Sequence, residues 1–263
     1  MTAEDIGSVG KAEAGDILTS RKVYLVTMVQ PSPGAPNGFE EKYNDYWNAV
    51  ESHLSQLEAK AGVVMRVFAE GVIGRGDDAM LMVQQSNPGA HKLVRQRVSA
   101  GAVFEEFEDT DLFGQVIDWG RCLQSGLINR TVADTIQEKY TEASDKRIAH
   151  LQKRMEEGIL ESEAAVLLSG DQNITLPEGV ERFVISPPEL DALERWVQQA
   201  NEAIRQQMAQ EQAQGQAQGQ AAGGGDAPGH EGHNHGPAGH GGPSAPADSG
   251  SQSGGSGLWT PGS

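Results

Sequence analysis

The sequence predicts an α/β fold: a mostly parallel sheet with flanking helices, one long charged helix and a disordered C-terminal tail. Three observations carry that prediction. Strand-like and helix-like patterns alternate over most of the chain. The run 23–29 (VYLVTMV) is apolar at both parities, as in a strand covered on both faces of a parallel sheet. After Gln198 the composition breaks. Gln/Ala repeats give way to a Gly/Pro/Ser stretch that would bury too little apolar surface to offset the entropy of ordering it.

Strand 23–29 leads into a Pro/Gly-rich loop at 30–37. Asn37 is placed to cap a helix, with Glu40 three residues on completing a capping box. Tyr43, Tyr46, Trp47, Val50, Leu54, Leu57 and Ala61 then recur at helical spacing, and Gly62 is a natural C-cap. A second strand, 63–68, begins at once, so the unit reads strand–helix–strand with a right-handed crossover and parallel strands. A short helix is expected at 78–85. Asn87 and Pro88 open the next as cap and first helical residue, and it ends at Gly101.

A third strand is expected at 102–107, after which Thr110 caps a helix reaching about Ser125. Thr131 with Asp134 opens the long helix, whose dense mixed charges at 141–157 suit a solvated face. Strand 164–168, a turn at Gly170 and Asp171, and short segments at 173–176 and 182–185 follow. Ser186 with Glu189 marks the start of the last helix, which carries Leu190, Leu193, Trp196 and Val197 on one face. Gly215 and Gly219 should fray its end. The expected organisation is therefore a flexible segment at 1–20, a globular α/β domain at 21–207 and a tail at 208–263.

Charge and cysteine content bound the function. The net charge is −17, and the four acidic residues beyond Met208 are accompanied by no Lys or Arg. Such a surface repels phosphate backbones, so nucleic acid and anionic membrane are poor partners. The one cysteine, Cys122, falls in a predicted helix with no base near it in sequence, and reads as a buried structural thiol. A single cysteine suits a reducing compartment, no apolar run approaches membrane-spanning length, and 1–5 (MTAED) is unlike a signal peptide. The expected location is the cytoplasm.

In an open parallel sheet, sites form beyond the C-terminal ends of the strands. Those ends place Glu70 after the second strand, Glu105, Glu106, Glu108 and Asp109 after the third, and Ser169, Gly170 and Asp171 after the fourth. Carboxylates converging there hold a divalent metal ion, or act as acid and base where burial separates their pKa values. Glu70 with Glu108 or Asp109 is the candidate catalytic group. The segment 71–76 (GVIGRG) lacks the Lys-Ser/Thr of a phosphate loop and runs into Asp77 and Asp78, so it reads as a turn. His53, His91 and His150 lie in predicted helices without a second ligand at metal spacing.

Segments 67–71 (VFAEG) and 166–170 (VLLSG) together resemble the layout of the TraB-like and erythromycin-esterase-like proteins, in which one strand ends in Glu and a late strand ends in Gly followed by His. Asp171 and Gln172 stand where that His is expected, so the resemblance implies a divergent hydrolase-like fold.

The tail carries two further signals. His230, His233, His235 and His240 are spaced to bind Ni²⁺, Cu²⁺ or Zn²⁺ loosely, similar to the His-rich tails of nickel-handling chaperones. Leu258, Trp259 and Pro261 form an isolated apolar motif, and Trp is the side chain most enriched at binding hot spots. A Gly-rich tether of about 36 residues gives it an r.m.s. reach of about 30–35 Å. The leading expectation is a binding or adaptor protein that captures a protein partner, or itself, through this motif. A metal-assisted hydrolase using the strand-end carboxylates and a metal-handling protein using the His-rich arm are the alternatives. No cofactor beyond such a divalent metal ion is implied.

Overall fold

The computed structural model of the chain describes residues 19–221, with side chains to 210. These residues belong to two units that adjoin within the last helix, 19–195 and 196–221. The first unit holds a five-stranded, all-parallel sheet in the order β3-β2-β4-β1-β5. Its strands are β1 (Arg21–Thr27), β2 (Val64–Ala69), β3 (Val103–Phe104), β4 (Ala164–Ser169) and β5 (Val180–Ile185).

The helices, numbered here in chain order, are α1 (Phe39–Ala61), α2 (Gly76–Ser86), α3 (Pro88–Ser99), α4 (Thr110–Gln124), α5 (Arg130–Gly158) and α6 (Pro188–Ala221). The first strand–helix–strand unit forms with parallel strands, but β4 lies between β1 and β2 and pairs with both. Every residue of β4 is buried, which suits its central place.

The two sheet faces follow from the period of two along β1. Val23 and Leu25 face a core completed by Phe68, Phe107, Ala165 and Leu167 from the sheet side and by Leu151, Met155 and Ile159 from the end of α5. Tyr24 points the other way and donates its hydroxyl to the Gly62 carbonyl at 2.6 Å. Tyr46 of α1 donates to the Thr27 carbonyl at 2.5 Å, fixing that helix to the end of β1. Trp47 packs edge-on between Tyr43 and Tyr46 and lies against Gly89 of α3, so it joins helix to helix.

Several expected helix starts differ. Gly38, at φ 101°, is the N-cap of α1, with no side-chain cap, so Asn37 and Glu40 do not form the expected box. Asp109 rather than Thr110 caps α4, accepting from the Leu112 amide at 2.9 Å. Asn129 rather than Thr131 caps α5, accepting from the Val132 amide at 3.1 Å. For α4 and α5 a side-chain acceptor one or two positions earlier takes the N3 amide, and the boundary moves with it. Asn87 does cap α3, with Pro88 in its first turn. The third strand shrinks to two residues, Val103–Phe104, and 173–176 forms no strand. The last helix begins at Pro188 and continues past Gly215 and Gly219 to Ala221. The Gln and Ala around those glycines are good helix formers, and a glycine costs only about 1 kcal/mol in a helix.

Candidate functional site at the strand ends

The chemistry-bearing residues meet where β2 and β4 end side by side. Glu70 directly follows β2. Its Oε2 accepts from the Ser169 hydroxyl at 2.7 Å and from the Gly170 amide at 3.1 Å, both at the end of β4. The two segments that carry the hydrolase-like resemblance are thus in direct contact. Glu108, whose side chain is 0% exposed, accepts from the Gly71 amide at 2.8 Å. Asp171 accepts from the Asn173 amide at 2.7 Å, a tight turn that closes the end of β4.

Arg147 of α5 organises this group. Its Nε donates to Glu108 Oε2 at 2.8 Å and one terminal nitrogen donates to Glu108 Oε1, a two-pronged pairing. The same terminal nitrogen reaches Glu70 Oε1 at 3.0 Å. The guanidinium carbon lies 5.3 Å from the centre of the Phe113 ring, adding a cation–π contact. Burial disfavours the charged guanidinium, but the hydrogen bonds and charges of Glu108 and Glu70 outweigh it and raise its pKa above the ordinary arginine value. Arginine suits this place because its planar fork matches a carboxylate on two donors.

Arg147 is the residue that sequence reading missed, and its signal was present. Ala143, Leu151 and Met155 are the buried residues of α5, and Arg147 falls in the same four-residue spacing. It belongs to the inward stripe of a helix read as a solvated charged face. The outward face carries exposed pairs as expected: Glu142 bonds Lys146 at 2.7 Å and Lys139 at 2.9 Å. Those bonds hold the Glu142 carboxyl down to about 2.

Asp109 does not join Glu70 and Glu108 in this group. It is engaged as the α4 cap and shares with Glu108 an opening of about 370 Å³ that Glu106, Asp111, His150 and Arg154 also line and Glu70 does not. His150 is half-buried and its Nε2 has no hydrogen-bond partner there. His53 is exposed and His91 half-buried. Glu105 pairs instead with Arg66 of β2 at 2.6 Å. Cys122 is partly exposed, which corrects its reading as a buried thiol; α4 packs on α5 and none of its residues is buried. The turn read at 71–76 is confirmed, with Gly71, Gly74 and Gly76 all at positive φ. Among the described residues no group of three His, Cys, Asp or Glu is arranged to hold a metal ion. The histidines at 230, 233, 235 and 240 and the motif of Leu258, Trp259 and Pro261 lie outside the described residues.

A cavity of about 260 Å³ opens beside the ion pair, between α5 and the 171–175 turn. Glu70, Arg147 and Asp171 line it on the polar side, Val116, Ile148 and Ile174 on the apolar side. Ser144 also lines it, and its hydroxyl oxygen is buried without a hydrogen-bond partner. No helix among the described residues is long and apolar enough to cross a membrane. The fold and site define an open-sheet α/β protein with an arginine-locked carboxylate pair at its strand ends. No known protein family, curated protein or solved structure matches this chain.

Proposed function

We propose that this chain is a cytoplasmic binding protein that holds a small ligand at its strand ends and captures a protein partner through its C-terminal Leu258–Trp259 motif. One observation supports the binding reading over a hydrolytic one: Glu70 and Glu108 are both engaged by protein donors, Glu70 at the wall of a cavity. Glu108 is committed to Arg147 and the Gly71 amide, and Glu70 to Arg147, Ser169 and the Gly170 amide. A general base needs an acceptor lone pair directed at the substrate proton, and a metal ion needs several oxygens directed at one point. Glu70 and Glu108 each accept three protein donors, which directs them at their own neighbours instead. They do build a rigid polar wall, which is what a binding pocket requires of its few polar groups.

The location is an expectation from the single cysteine, and the exclusion of nucleic acid rests on the charge of −17. Two measurements on the full chain test the proposal. A fragment screen followed by amide chemical shifts should concentrate its responses on Ser144, Ile148 and Ile174, and Glu70→Gln should leave no hydrolytic turnover to lose. Ester, amide or phosphoester turnover abolished by Glu70→Gln would restore the enzyme reading. For the arm, truncation after Ala221 should abolish partner capture; undiminished capture would remove the motif from the account.

A further inference from the structure

We infer that the 260 Å³ cavity takes a small organic cation, an ammonium or amidinium group on a compact apolar body. The inference rests on the reading above that this cavity is the ligand site. Its size comes first: the volume lies below the range of about 300–1,000 Å³ typical of drug-sized ligands, so the occupant is small.

Charge decides the class. The single positive charge of Arg147 faces two carboxylates, Glu108 and Glu70, so the triad keeps a surplus negative charge. Asp171, exposed at the rim, adds another, and no second Lys or Arg lines the cavity. An incoming carboxylate or phosphate would meet like charge with no uncompensated cation among the lining residues to receive it, Arg182 being turned to the Gln172 and Ile174 carbonyls. An incoming cation would be drawn in, and the field of a strongly acidic protein adds to the attraction.

The lining then sets the shape of the ligand. Ser144 lines the cavity, and its buried hydroxyl oxygen has no hydrogen-bond partner. That oxygen is closed off from the cavity in this rotamer, and a turn about χ1 would present it to a ligand N–H. Ile148, Ile174 and the ring of Tyr140 form the apolar part of the wall, against which the body of the ligand would lie.

Three probes of matched shape test this on the full chain: benzylammonium, benzyl alcohol and benzoate, each titrated by calorimetry and by amide chemical shifts. Benzylammonium should bind saturably, shift the resonances of Ser144, Ile148 and Ile174, and bind at least tenfold more tightly than benzyl alcohol. Benzoate should not bind. Asp171→Asn should weaken benzylammonium about three- to fivefold, the scale of one exposed ion pair, and Ser144→Ala should weaken it with the fold intact by circular dichroism. Equal binding of benzyl alcohol or benzoate at these residues would overturn the cation class and leave the cavity as the ligand site. If none of the three probes perturbs these residues, the ligand-site reading falls together with the inference.

Discussion

Trp47 and Gly89 illustrate how much of the fold hangs on single contacts between α1 and α3. A Cβ placed at Gly89 would fall on the Trp47 indole, so only glycine permits this approach. Gly89→Ala should therefore destabilise through overpacking, by about 1–3 kcal/mol or more. Trp47, 5% exposed, should cost about 3–5 kcal/mol as Trp47→Ala. Urea titration measures both; a change below about 1 kcal/mol in either would mean the helices separate without the contact. The importance of Trp47 was legible from its place on the apolar stripe, but its partner was not, because periodicity gives a face and not a neighbour. The phenols supply a pH test. Burial, with Glu58 nearby, pushes the Tyr24 hydroxyl up to about 12, and burial raises Tyr43 and Tyr46 as well. The unfolded phenol titrates near 10, so the folded state holds its proton more tightly. That contribution to stability is intact below about pH 10 and is lost as pH rises from there through the folded values. Absorbance of tyrosinate followed with the thermal midpoint should show late ionisation coinciding with unfolding. Ionisation of Tyr24, Tyr43 or Tyr46 near pH 10 with the fold retained would contradict it.

At the scale of elements, the sequence was most legible where a local signal is also the whole cause. The β1–α1–β2 unit, the Asn87–Pro88 helix start and the turn at 71–76 are set by apolar period, capping chemistry and glycine, all local. Strand order was not legible. Placing β4 between β1 and β2 depends on burying both faces of its residues 164–169, a requirement that acts across more than 90 intervening positions. The caps of α4 and α5 were misplaced because Asp109 and Thr110, or Asn129 and Thr131, are each competent, and geometry chooses between them. The α4–α5 pair carries its own prediction. None of the α4 residues is buried, and no residue of α5 before Ala143 is. Local opening there exposes little apolar surface, so native-state hydrogen exchange should show α4 amides exchanging well before those of β1 and β4. Equal protection of α4 and the sheet would mean that another surface covers this helix.

For the whole molecule, the expected globular span of 21–207 predicts that limited proteolysis of the full chain leaves a resistant fragment close to those bounds. An uncut chain at full length would contradict it. Half of the site was legible: the topology rule led to the strand ends, and Glu70 and Glu108 do meet there. Arg147 was hidden because a charged residue inside a charged stretch reads as solvated unless the buried stripe through Ala143 and Leu151 is traced past it. That arginine decides the account, since one guanidinium holds both candidate carboxylates, Glu70 and Glu108. The direct test is the equilibrium stability of Arg147→Met in urea, with Arg147→Met/Glu108→Gln beside it. Removing one partner of a buried ion pair costs about 3–5 kcal/mol, and the double variant should recover part of the loss because no unpaired charge remains at position 108. Catalytic groups held against their own repulsion behave the opposite way, since stability is often traded for activity at such sites. An Arg147→Met protein as stable as the parent, or more stable, would contradict the locked-pair account.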